Sequence, residues 1–252
     1  MCLLVVLRRP EHSWPLLLAA NRDEMIARRW QAPARHWPDR PEVVGGRDLT
    51  AGGSWLAVND WGVVAAVLNR TGSLGPEAGR RSRGELVLEA LDHGDAVAAA
   101  AALSHLDPKA YRPFNLVVAD NRDAFWLAMR GEEVALEPLA EGLSLIGSGD
   151  VNDKATPRVV SATPPFAAAP APDPDRGEWT SWEALLSDPQ PRRGENPGRP
   201  IRLLPANGYG TTSSSLIALP APGAALKRPF FRFASWLPEK EPWREVFAVE
   251  RA

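Results

Sequence analysis

The chain has 252 residues, 44% of them hydrophobic, which is enough to bury a sizeable core in a single domain covering 1–252. Its 29 basic and 31 acidic residues leave a net charge of -2, so nothing in the charge balance draws it to nucleic acid or to an anionic membrane surface. A single cysteine excludes an internal disulfide framework and a multi-cysteine metal site, and it fits a reducing, cytoplasmic location.

The first apolar run, at 2–7, is stopped by Arg8, Arg9 and Pro10. It is too short for a signal peptide or a membrane span and reads as a buried strand. A second run at 16–21 follows the turn-rich Arg9-Pro10-Glu11-His12-Ser13, which predicts a hairpin. Residues 54–59 and 63–69 predict another hairpin about Asp60-Trp61-Gly62, where glycine can take a positive φ. Ser82-Arg83-Gly84-Glu85 has the spacing of a capping box, and apolar residues then recur at helical period until Gly94. Asp95 can cap an alanine-rich helix reaching Leu106. Strands are predicted at 114–119, 124–129 and 134–137, with 143–146 continuing the same meander. The segment from about 161 to 208 reads as proline-rich and irregular, except for a short helix at 179–186. Strands at 213–219 and 229–234 close the pattern, which as a whole predicts an α+β protein of two antiparallel sheets with helices packed outside them. The 25 prolines and 10 tryptophans predict long ordered loops and aromatic-lined concavities.

Cys2 is the first candidate for chemistry because removal of Met1 would put a thiol and a free α-amine on one residue. Their ordinary pKa values, about 8.5 and about 7.7 to 8.0, make proton transfer between them easy near neutral pH. Such a thiol can attack a carbonyl and form a thioester that water releases. The plain alternative is a buried cysteine acting as a small hydrophobe. In Ala19-Ala20-Asn21-Arg22-Asp23-Glu24, alternate side chains of a strand face opposite sides, so Asn21 and Asp23 share one face and Arg22 takes the other. Next to Cys2, Asp23 could hold the amine while Arg22 or Asn21 meets substrate. As a solvated strand end, the same residues would only make ion pairs. Asn69 ends a strand where its amide could donate to an oxyanion, although Asn69-Arg70-Thr71-Gly72 is also ordinary turn chemistry. Arg80, Arg81 and Arg83 precede a helix and could grip a carboxylate or phosphate, or be solvated. Neither Gly45-Gly46 nor Gly52-Gly53 is followed by the lysine of a phosphate loop, and His12, His36, His93 and His105 have no metal-ligand spacing. No cofactor or metal is expected.

Met1-Cys2, Ala20-Asn21-Arg22-Asp23-Glu24, Gly52-Gly53-Ser54-Trp55-Leu56, Asn69, Arg83-Gly84-Glu85-Leu86 and Phe114-Asn115-Leu116 occur in the order of the motifs of the NRDE-motif family, also called the transport and Golgi organisation protein two family. The chain resembles that family well over 1–130 and loosely at Tyr209 to Thr211. The family is similar in fold to the N-terminal-nucleophile hydrolases, whose cysteine members include penicillin V acylase and bile salt hydrolase. The resemblance implies a four-layer αββα sandwich, with Cys2 as nucleophile, Asp23 as the carboxylate holding its amine and Asn69 as the oxyanion-hole amide. It also points to Asn21, Trp55 and Arg83 as substrate contacts. The chain departs from the pattern in three places. Ala20 stands where those hydrolases have an arginine, with Arg22 of the same strand parity. Thr212 stands where a second arginine is expected. The family's second asparagine falls in Ile146-Gly147-Ser148-Gly149-Asp150-Val151-Asn152, leaving Asn152 and Asp150 as candidates. Two functions follow from the resemblance. One is an amidase or acylase acting on a linear, non-peptide amide through Cys2. The other is a non-catalytic carrier of a hydrophobic ligand, haem or a lipid or acyl-CoA, serving haem or lipid homeostasis.

Overall fold

The computed structural model describes residues 2–190, 199–223 and 228–246. Among the described residues, thirteen strands and four α-helices follow in chain order. They are β1 (Leu3–Arg8), β2 (Leu16–Met25), β3 (Trp30–Ala34), β4 (Val43–Asp48), β5 (Ser54–Asn59), β6 (Val64–Asn69), α1 (Gly84–Leu91), α2 (Ala96–Leu103), β7 (Phe114–Ala119), β8 (Ala124–Met129), β9 (Val134–Pro138), β10 (Gly142–Ile146), α3 (Pro157–Ala168), α4 (Thr180–Ser187), β11 (Tyr209–Leu219), β12 (Phe230–Ser235) and β13 (Glu241–Glu245). One sheet has the order β10-β1-β2-β11-β12-β13 and the other β3-β4-β5-β6-β7-β8-β9, with every pairing antiparallel.

Three cores separate four layers. Leu4, Val6, Leu16 and Leu18 of the first sheet meet Leu56, Val58, Val64 and Leu68 of the second. The outer face of the second sheet, with Ala57, Ala65 and Val118, is covered by Leu86, Val87 and Leu91 of α1 and Ala96 and Ala99 of α2. On the outer face of the first, Leu3, Val5, Leu17 and Ala19 pack under Val159, Ala162 and Phe166 of α3 and Trp182 and Leu186 of α4. This is the expected αββα sandwich. It explains why these antiparallel strands read as unbroken apolar runs, since both of their faces are buried.

Four local expectations change. First, β10 does not continue the second meander but pairs with β1, Leu4 lying opposite Ile146. After β9 the chain crosses between the sheets, a step that strand composition does not encode. Second, β3, β4 and β13 come from polar or glycine-bearing segments without an apolar run. Third, the segment read as irregular from 161 begins inside α3, which contains Pro164 and Pro165. Pro157 opens that helix, where a missing N–H costs nothing, and the hydroxyls of Ser161 and Thr163 donate to the carbonyls of Pro157 and Val159. Part of the proline-rich stretch, 191–198, lies outside the described residues. Fourth, the capping box does not form. Ser82 Oγ accepts only a 3.3 Å bond from the Gly84 N–H, while Glu85 takes the Arg81 guanidinium instead. The buried tryptophans Trp14, Trp126, Trp179 and Trp182 fill these cores instead of lining a concavity. No helix among the described residues is long and apolar enough to cross a membrane.

Candidate active site

Alternation along β1 and β2 decides which side chains can meet. Leu4 and Val6 face the second sheet and Leu3 and Val5 face the helices, so Cys2 falls on the inter-sheet side and packs at the edge of that core. In β2 the even positions Leu16, Leu18 and Ala20 take the same side, which carries Arg22 and Glu24 with them. Asn21 and Asp23 therefore point the other way, toward α3 and α4. Leu3 pairs with Asn21 and Thr211 with Asp23, so β1, β2 and β11 lie side by side at the end of the sheet. The register between β2 and β11 slips at Thr212, a bulge directly beside Arg22.

Cys2 is half-buried and lines an open cleft of about 310 Å³. Its Sγ accepts a bond from the Asp23 backbone N–H at 3.4 Å and lies 3.7 Å from the Asp23 carbonyl. Burial pushes the Cys2 thiol above its ordinary pKa, and the negative charge of Asp23 adds to the effect. Arg22, itself buried, stacks its guanidinium 4.3 Å over the Trp55 ring and donates to Thr212 Oγ1 at 3.0 Å. Burial lowers its pKa, against the opposing pull of Glu24. On the opposite wall Asn69, at the end of β6, lines the cleft, and its side-chain amide makes no hydrogen bond among the described residues. Arg83 completes that wall. Its guanidinium donates to the carbonyls of Ser73 at 2.8 Å and Pro113 at 3.0 Å, tying the loop after β6 to the start of α1. A close approach makes this possible, because a Cβ on Gly53 would stand 2.4 Å from the carbonyl carbon of Gly84.

The structure thus gathers Cys2, Arg22, Asp23, Asn69, Trp55 and Arg83 around one cleft. The Asp23 side chain leaves it, however. Its carboxylate is buried on the helix side, held by Arg158 of α3 and by Thr211 Oγ1 at 2.6 Å. Three expected residues fall elsewhere. Asn21 turns its amide outward to the carbonyls of Leu186 and Ile201, at 3.1 and 2.8 Å, because strand parity opposes it to Arg22. Asp150 pairs at the surface with Arg70 and Arg130. Asn152, at a φ of 55°, caps β10 by accepting from the Leu145 N–H. Asn115 of the Phe114-Asn115-Leu116 motif is also structural. It donates to the carbonyls of Gly147 and Gly149 and accepts from Arg70 and Trp126.

Two residues near the site escaped the sequence reading. Arg158 lies on the same helical face as Ala162 and Phe166, a charge within an apolar stripe, but the prolines that follow hid the helix carrying that stripe. Tyr209 at the start of β11 donates to the Asp23 carbonyl at 3.3 Å, and burial raises its phenol well above the ordinary range.

The fold has solved counterparts. An ortholog of N-acylethanolamine-hydrolyzing acid amidase from Caenorhabditis elegans superposes with a TM-score of 0.58 at 14% identity, covering 89% of this chain and 95% of that one. A mutant of the conjugated bile acid hydrolase from Clostridium perfringens gives 0.55 at 10% identity, covering 98% and 92%. Penicillin V acylase from Agrobacterium tumefaciens gives 0.52 at 14% identity, covering 99% and 87%. The fold is therefore that of the N-terminal-nucleophile acylases. No curated protein matches the sequence itself. The model of the family described as Transport and Golgi organisation 2 matches residues 1–225, and the chain belongs to that family.

Proposed function

We propose that the protein is an N-terminal-nucleophile hydrolase that cleaves a linear, non-peptide amide through Cys2. The observation that carries this reading is the half-buried thiol lining an open cleft that also holds the Asn69 amide, unengaged among the described residues. Met1 lies outside the described residues, and its removal supplies the α-amine the reaction needs. That amine takes the thiol proton, Sγ attacks the amide carbonyl carbon, and the Asn69 amide donates to the oxyanion. The C–N bond then breaks, the amine leaves with the proton, and water splits the thioester to give the acid and restore the thiol. In this reading Asp23, its carboxylate fixed by Arg158 and Thr211, holds the α-amine from the helix side of the sheet while the thiol faces the cleft, and Arg22 stands beside the reacting centre.

The competing reading, a carrier of haem or of a lipid or acyl-CoA, calls for a broad apolar pocket. The hydrolase is favoured because the thiol itself lines the cleft, which a carrier does not require, and Trp55 is the one tryptophan among the lining residues. The test is intact mass after exposure to an activated ester or a β-lactam. Met1-free protein should gain one acyl group that Cys2→Ala does not. An unmodified wild type would overturn the reading, and haem or lipid retained by Cys2→Ala would replace it with the carrier.

A further inference from the structure

The positive charge in the cleft is not balanced from within. Arg22, Arg28, Arg80, Arg83 and Arg112 line it together with the carboxylates of Glu24, Asp48 and Glu77, while Arg81 reaches out to Glu85 and Glu89. Those three carboxylates are already engaged. Asp48 accepts from Arg28 Nε at 2.6 Å and from the backbone N–H groups of Thr50 and Ala51 at 2.8 and 3.1 Å. Glu24 accepts from the Met25 N–H at 2.8 Å. Glu77 sits at the rim between Arg112, at 3.3 Å, and Arg80, at 3.6 Å.

Two arginines of the cleft that Cys2 lines have no hydrogen-bonded carboxylate among the described residues. Arg22 is buried, its carboxylate neighbours Glu24 and Asp48 stand at 3.8 and 3.7 Å, beyond hydrogen-bond range, and its hydrogen bond goes to a neutral hydroxyl. Arg83 makes its hydrogen bonds to neutral acceptors, the Ser73, Gly75 and Pro113 carbonyls and the Ser73 hydroxyl, with no carboxylate in ion-pair range among the described residues. Burial lowers its pKa to about 10, and repulsion from Arg112 adds to this. A partly or fully buried guanidinium without a hydrogen-bonded countercharge is stabilised by a compact anion that enters.

We infer that this cleft binds a carboxylate-bearing substrate, with the anionic group held between Arg22 and Arg83 beside Cys2. The inference names the substrate class for the proposed hydrolase and rests on that reading for the reaction, though not for the binding. The hydrolysed amide then carries a carboxylate within a few bonds of the scissile carbonyl, and simple neutral amides are poor substrates.

The chain has a single cysteine, so alkylation reads the cleft directly. Free thiols react faster with iodoacetamide than with iodoacetate. In a cleft that concentrates anions the order inverts, and we expect Cys2 to react about tenfold faster with iodoacetate at low ionic strength. Added salt should return the ratio to the free-thiol value. Arg22→Gln and Arg83→Gln should each lower the ratio. An arginine that merely favoured the thiolate would speed both reagents alike and leave the ratio unchanged. The iodoacetamide rate on each variant reports whether Cys2 keeps its native setting, and the salt response of the wild type decides the matter should a variant fail to fold. A free-thiol ratio in the wild type, or a ratio indifferent to salt and to both substitutions, overturns the inference. A preference for iodoacetate without any acyl adduct would sink the hydrolase and leave the anion site standing.

Discussion

The contact between Asp23 and Arg158 shows how a residue outside the cleft can govern one inside it. Asp23 touches Cys2 through its backbone, while its carboxylate is clamped from behind by Arg158 and Thr211. Arg158→Met would take its guanidinium partner from a buried carboxylate, and we expect a loss of about 3–5 kcal/mol, read from denaturant midpoints. A loss under about 1 kcal/mol would mean that the pair is not the clamp described here. By contrast, Cys2→Ala removes a small side chain from the wall of an open cleft, and the melting curve should shift by the equivalent of about 1 kcal/mol or less. A larger loss would mark Cys2 as a core residue. Because burial and Asp23 both hold the thiol in its protonated form, iodoacetamide should alkylate Cys2 with an apparent pKa above that of a free cysteine in any chain that retains Met1. A pH profile placing it below the free-thiol value would contradict that picture.

At the level of elements, α1 owes its position to one glycine pair. Gly53 leads into β5, and a Cβ there would meet the Gly84 backbone, which cannot yield as a side-chain tip would. Gly53→Ala should therefore cost about 1–3 kcal/mol and displace the start of α1, along with the Arg83 that precedes it. The alkylation ratio at Cys2 should fall in parallel, and unchanged stability would show that the two backbones can separate freely. Gly46 has a related role, since a Cβ there would meet the six-membered ring of Trp55 at 2.2 Å. That space is what lets the ring lie where Arg22 stacks on it.

Across the whole molecule, both tyrosines report on the packing. Burial raises Tyr111 to about 12 and moves Tyr209 in the same direction. A phenol with a raised pKa binds its proton more tightly in the folded state, so its contribution to stability is full below about pH 10 and is lost as pH climbs toward 12. Tyrosinate absorbance should therefore stay flat through pH 10 to 11 and rise together with unfolding. A titration near 10 in the folded protein would show that these residues are open to water. Much of the fold was legible because it depends on short-range physics. Unbroken apolar runs named strands buried on both faces, Asp95 marked a helix start, and strand parity separated Arg22 from Asn21 and Asp23. The linear sequence could not say which parity faces the second sheet, and that choice removed Asn21 from the cleft and turned the Asp23 carboxylate toward α3. Nor could it place β10 beside β1, or reveal that Arg158, lying 135 positions after Asp23, would hold the Asp23 carboxylate from behind. Such pairings are set by how layers stack, a property of surfaces made by many residues at once. The sequence alone determined the layers and the candidate nucleophile, while tertiary packing decided which charges share the cleft with it.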